Sequence, residues 1–176
     1  MVEKIWGISN IVGTMELDNY IRDIFIPISR ACAKIEDSSE SSISWYLWHK
    51  IYDHACRALE EYGKFYVSKA ALNEYRKSFP GKNISQYDKL GKKFHYEHVF
   101  TIKMLRKMLS DKSLNLKRVR RIIKTHYCTA WIQAKENKTL NSNGYKSDRG
   151  STLNDALKIY RKMGIELINK RGNIVN

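Results

Sequence analysis

What this chain lacks narrows its class before any motif is weighed. No run of about 18 apolar residues occurs, so no segment is expected to span a bilayer. Cysteine is scarce: Cys32, Cys56 and Cys128 are odd in number, far apart and without a CxxC spacing. A disulfide framework and a structural zinc knuckle are thereby excluded, and buried thiols in a reducing cytosol are expected. The N-terminus has none of the regions of a signal peptide, and no lipidation motif stands at either end, so a cytoplasmic location is expected. Without a Gly-rich phosphate loop, a GxSxG elbow or an HExxH, kinase, NTPase, serine hydrolase and zincin chemistries are set aside. Acidic residues are also few. Eighteen Asp and Glu face 32 Lys and Arg, for a net charge of +14. An anionic partner follows, with DNA ahead of RNA and a membrane surface as the competitor.

What is present suits a folded chain. The 176 residues are 43% hydrophobic and 11% aromatic, enough for a real core within one domain. Tyr and Trp supply packing for that core, with base stacking in a single-strand or flipped-base site as the alternative use. Apolar spacing predicts a helix over 18–35, interrupted at Pro27. It predicts a second over 45–62, capped by Ser44 and ended by Gly63, and a third over 69–79, capped by Ser68 and stopped by Pro80-Gly81. Further helices are expected over 101–109, 115–125 and 152–163. Short strands are expected near 94–100, 127–134 and 165–168, and a polar loop over 137–151. The expected fold class is α+β, predominantly helical, with a few short strands in the C-terminal half. Residues 1–80 read as a helical scaffold and a possible homodimer surface. Residues 81–176 read as a basic α+β half, the two forming one compact domain.

The charge is concentrated. Lys92 to Lys124 holds eleven Lys or Arg against Glu97 and Asp111, a local +9 within the total of +14. Lys117, Arg118, Arg120, Arg121 and Lys124 lie on a helix whose other side is Leu116, Val119, Ile122 and Ile123, a pattern that suits phosphate binding. Together with the helix over 101–109 it also fits a helix-turn-helix. Inside the basic field sits His95-Tyr96-Glu97-His98. A carboxylate beside a histidine at the end of an extended segment can place a metal ligand and a general base at one scissile phosphate. His95 is two residues from Glu97 and shares its face on a strand. His98 would point to the other face, yet ranks higher as the neighbour of the acid.

Glu97-His98, followed by Asn115 at a helix start and His126 a helix later, resembles the HNH, or His-Me finger, nucleases over about residues 94–128. The resemblance implies Glu97 as the metal-side acid, His98 as general base, Asn115 as the residue orienting it and His126 as a second metal ligand. Trp131 to Lys138 also looks like the catalytic strand of the PD-(D/E)xK nucleases, with Glu136 and Lys138, or Gln133 and Lys135, in the acid and lysine roles. Glu136 could then complete a metal site with Glu97. The expected function is a metal-dependent DNA endonuclease holding a divalent ion such as Mg²⁺. The alternative is a non-catalytic DNA-binding regulator. A third reading takes the Trp-rich helix over 45–62 as a surface for an acidic partner or an anionic membrane.

Overall fold

The computed structural model describes residues 16–36, 47–109, 113–169 and 171–175. The expected Ser44 cap lies outside that range. The helices are α1 (Leu17–Tyr20), α2 (Ile26–Glu36), α3 (Asp53–Arg57), α4 (Lys69–Ser78), α5 (Ile102–Leu109), α6 (Leu116–His126), α7 (Ala134–Ser142) and α8 (Leu153–Lys162). The strands are β1 (Lys64–Ser68), β2 (Phe94–His98), β3 (Cys128–Gln133) and β4 (Leu167–Ile168). The protein is thus α+β and helix-dominated, as expected. Among the described residues no helix is long and apolar enough to cross a membrane.

The chain forms two compact units, residues 1–62 with 105–125 and residues 63–104 with 126–176. This division is discontinuous in sequence. In the first unit, wide π-helical turns occupy Ile21–Phe25 and Leu47–Tyr52. The backbone stays helical through Pro27. Its missing N–H falls in the first turn of α2, directly after the π turn, where a helix tolerates it. Tyr20, Ile21, Phe25, Tyr52, Cys56, Leu59, Leu105, Leu109 and Val119 are buried there. Phe25 stacks on Tyr52 with ring centroids 5.9 Å apart. Two buried hydroxyls satisfy backbone oxygens: Tyr20 donates to Ala55 O (3.0 Å) and Ser29 to Leu109 O (2.6 Å).

The second unit is built on a four-stranded sheet in the order β2-β3-β1-β4. β1 and β3 are parallel, while β2 and β4 run antiparallel along the two edges. Side chains alternate along a strand, so register partners share a face. Trp131 pairs with Tyr96 and Val67, which places Phe94, Tyr96, His98, Thr129 and Phe65 on the Trp131 face. Ala130 pairs with Glu97 and Tyr66, which places His95, Cys128 and Ile132 on the opposite, Glu97 face. On the Trp131 face Val67, Ala71 and Trp131 form a core that Phe65, Leu72, Ile84, Leu90, Phe94 and Tyr96 pack against. Trp131 Nε1 also donates to Ser85 O (2.9 Å), pinning the loop after α4.

Two local outcomes differ from the periodicity. β1 pairs with β3 between residues assigned only to a helix end and a helix cap. In addition, α7 replaces the first part of the loop expected over 137–151. Its Asn, Thr and Ser content is poor for a helix. A capping box overrides that, with Glu136 as the residue that accepts from the Gln133 N–H (2.7 Å). The Ser68 cap forms as expected, and α8 is capped by Thr152.

The β1–β3 junction is tight. A Cβ on Gly63 would lie 2.9 Å from Tyr127 O, the same oxygen that accepts from the Lys64 N–H at 2.9 Å. Gly63→Ala is expected to lower the unfolding free energy by about 1–3 kcal/mol, the scale of an overpacked contact, as read by urea denaturation. An unchanged midpoint would mean that the junction can relax.

Candidate functional site

The chemistry of the second unit centres on Glu97. β2 is an edge strand, and Glu97 reaches from it toward a buried cation. Its Oε1 lies 2.7 Å from Arg149 Nη1, and its Oε2 lies 2.8 Å from His95 Nε2. The Glu97 side chain is 12% exposed and that of Arg149 only 1%, whereas His95 is 42% exposed. Burial by itself would raise the Glu97 pKa. The hydrogen bond from His95 and the charge and hydrogen bond of Arg149 outweigh it and hold the carboxyl below the usual carboxylate range. Glu97 is therefore an anion at neutral pH, fixed on both oxygens.

Arg149 is held in turn by backbone. Its Nε donates to Tyr145 O (2.8 Å) and its Nη1 to His98 O (2.7 Å) and to the Tyr160 hydroxyl (3.1 Å). The guanidinium carbon stands 5.4 Å from the centroid of the Tyr160 ring. Burial pushes the Tyr160 phenol well above its ordinary pKa, against the pull of Arg149, so it stays neutral. Among the described residues no partner reaches Arg149 Nη2.

The candidate residues of the sequence are therefore redistributed. The imidazole paired with Glu97 is His95, not His98. Strand alternation turns His98 to the Trp131 face, where its ring meets Tyr96 edge-on. His126, at the end of α6, packs its ring on Phe100 with centroids 5.2 Å apart. Burial and the nearby Lys64 charge lower its pKa, so it is neutral at pH 7. The carboxylate of Glu136 accepts from the Ser68 hydroxyl (2.6 Å) and caps α7. Lys135 and Lys138 lie on that helix rather than on a strand. Asn115 belongs to the first unit, and its Oδ1 accepts from the Arg118 N–H (3.0 Å) as the N-cap of α6.

The expected metal set of Glu97, His126 and Glu136 does not fit an ion. Glu97 is closed by Arg149 and His95, and Glu136 is committed to the cap. Among the described residues no group of three or more His, Cys, Asp or Glu could hold a metal. Arg149 and Tyr160 were not recognisable from sequence. An arginine between Asp148 and Gly150 in a polar stretch carries no sign that it will be buried.

On α6, Val119, Ile122 and Ile123 are buried, while Lys117, Arg120, Arg121 and Lys124 are exposed. Two of the five cations are already engaged. Arg120 pairs with Asp18, and Arg118 Nη1 donates to Ser113 Oγ (2.7 Å). Lys117, Arg121 and Lys124 fall at i, i+4 and i+7, along one side of the helix.

No family model, curated protein or solved structure matches this chain.

Truncating one partner of a buried pair strands the other. Arg149→Met is expected to cost about 3–5 kcal/mol, with part of the loss recovered when Glu97→Gln is added, as read by denaturant unfolding. Because the folded-state pKa of Glu97 is depressed, its stabilisation is complete above the unfolded value near 4.5 and is lost as pH falls through the lower folded value. Glu97→Gln should flatten that acid limb of the stability profile. A wild-type limb equal to that of the variant would refute the assignment.

Proposed function

We propose that this protein binds nucleic acid through phosphate contacts made by α6, DNA before RNA. The observation that carries this reading is the exposed row Lys117, Arg121 and Lys124 on a helix whose opposite side is buried. Burying Val119, Ile122 and Ile123 leaves α6 no freedom to turn its cations inward. The row spans two helical turns, roughly 10 Å, about the axial length over which one strand of a duplex places three phosphates at ~3.4 Å each. The chain's +14 charge supports the same partner, because an unpaired cationic surface repels itself until a polyanion and its displaced counterions offset the repulsion.

A second reading, hydrolysis of a phosphodiester, is favoured by the His95–Glu97 pair. A carboxylate that accepts from one imidazole nitrogen fixes the tautomer and orients the other nitrogen outward. His95 is exposed enough to meet a substrate, and its free nitrogen would take a proton from attacking water. Arg149 would act only by holding Glu97. No step passes through a metal, since the expected ligand set does not fit one.

The two readings separate by assay. Lys117→Ala/Arg121→Ala/Lys124→Ala should reduce the slope of log affinity against log salt by roughly 2–3 on duplex DNA, as measured by fluorescence anisotropy. Unchanged affinity and slope would reject the α6 interface. For hydrolysis, His95→Ala should slow plasmid nicking by about 10²–10⁴-fold, while His98→Ala stays near wild type. The reverse order would return the role to His98.

A further inference from the structure

Two clefts among the described residues of the second unit differ in charge. One, of about 560 Å³, is lined by Lys69 and Arg161 but also by Glu136 and Glu166. There the Lys69–Glu166 ion pair, at 2.9 Å, neutralises part of the lining. The other, of about 360 Å³, has Arg76 and Lys82 in its lining and, among the described residues, no carboxylate. Among the described residues neither of those cations has an ion-pair partner. Its size falls within the range of small-molecule sites.

The smaller cleft is built from parts that hold their places independently. Its floor comes from the Trp131 face at the β1–β4 edge. Phe65, Val67 and Ile168 project together because Val67 and Ile168 are register partners and Phe65 is two residues from Val67. One wall is α4, where Leu72 and Arg76 sit four residues apart on one side of the helix. A second wall is the loop with Lys82, Asn83 and Ile84. That loop is fixed by Trp131 Nε1 to Ser85 O and by the Ser85 N–H to Asp88 Oδ2 (2.8 Å). The third is the turn from Asn169 to Gly172. Asn169 Oδ1 accepts from the Arg171 N–H (2.8 Å) and the Asn173 N–H (3.1 Å), and Gly172 takes the positive φ of 80° that closes the turn. With its oxygen committed, the Asn169 amide offers its N–H donors.

The lining therefore combines an aromatic and aliphatic floor with two cations and two side-chain amides. An apolar floor alone would accept many hydrophobic molecules. The unbalanced Arg–Lys pair selects an anion, and a phosphate monoester, with nearly two negative charges and several acceptor oxygens, matches it better than a single carboxylate. We propose that this cleft binds a nucleoside phosphate, its planar base on Phe65 and Ile168 and its phosphate between Arg76 and Lys82. The site lies in the second unit and uses no residue of α6, so it stands independently of the α6 reading. The same chemistry has two sources: a free nucleotide, or one nucleotide of a single strand turned out of its stack.

Isothermal titration calorimetry on the full chain tests this with adenosine 5′-monophosphate. Saturable binding is expected, weakened about tenfold or more by Arg76→Gln/Lys82→Gln. Adenosine and inorganic phosphate should each bind more weakly than the monophosphate. Both substituted side chains are exposed, so the fold should persist, and circular dichroism checks it. If a short single-stranded oligonucleotide displaces the monophosphate, the source is a polymer. If it does not, the source is the free nucleotide. The inference is overturned if the monophosphate fails to bind, if the double variant binds it as the wild type does, or if inorganic phosphate binds equally tightly. The α6 triple variant should bind the monophosphate normally, which separates a failure here from a failure of the α6 interface.

Discussion

A guanidinium buried inside a small α+β unit must find acceptors or the unit does not close, and Arg149 sets this condition for the second unit. A charge removed from water costs several kcal/mol unless it is paired and hydrogen-bonded. The unit meets that cost with the Glu97 carboxylate, the His98 and Tyr145 carbonyls and the Tyr160 hydroxyl. These partners come from the edge strand β2, the segment after α7 and the helix α8. Through one side chain, three pieces of chain distant in sequence are drawn together on one face of the sheet.

The consequence for chemistry is indirect but specific. Arg149 keeps Glu97 ionised despite its burial, and an ionised Glu97 keeps His95 in a defined hydrogen bond at the rim. The oxygen that faces Arg149 cannot be offered to an ion without displacing a cation that has nowhere else to go. The same arrangement that makes Glu97 a good orienting group for an imidazole thus makes it a poor metal ligand. This is the physical reason that an acid–histidine pair is present while the expected metal set is not.

The first unit follows a simpler logic. α6 has one side of branched aliphatic residues and one of cations, and burial of the first dictates exposure of the second. Yet the tertiary structure edits the charge. Arg120 is tied to Asp18 and Arg118 leans on Ser113, so of the five cations three remain exposed with no ion-pair partner among the described residues. Lys117, Arg121 and Lys124 remain along one exposed side of the helix.

Much of this was legible in the sequence because it depends on local pattern. Helical spacing placed α4, α5, α6 and α8, Ser68 announced its cap, and alternation separated the face of His95 and Glu97 from that of His98. The basic stretch over 92–124 was equally plain. What no local pattern contains is the set of contacts made at long sequence separation. The burial of Arg149, the fifty-odd residues between it and Glu97, the call of Glu136 to Ser68 and the pairing of β1 with β3 all arise from packing. A residue's type and near neighbours determine its propensity and its face; which buried charge it must answer is decided only when the strands and helices meet.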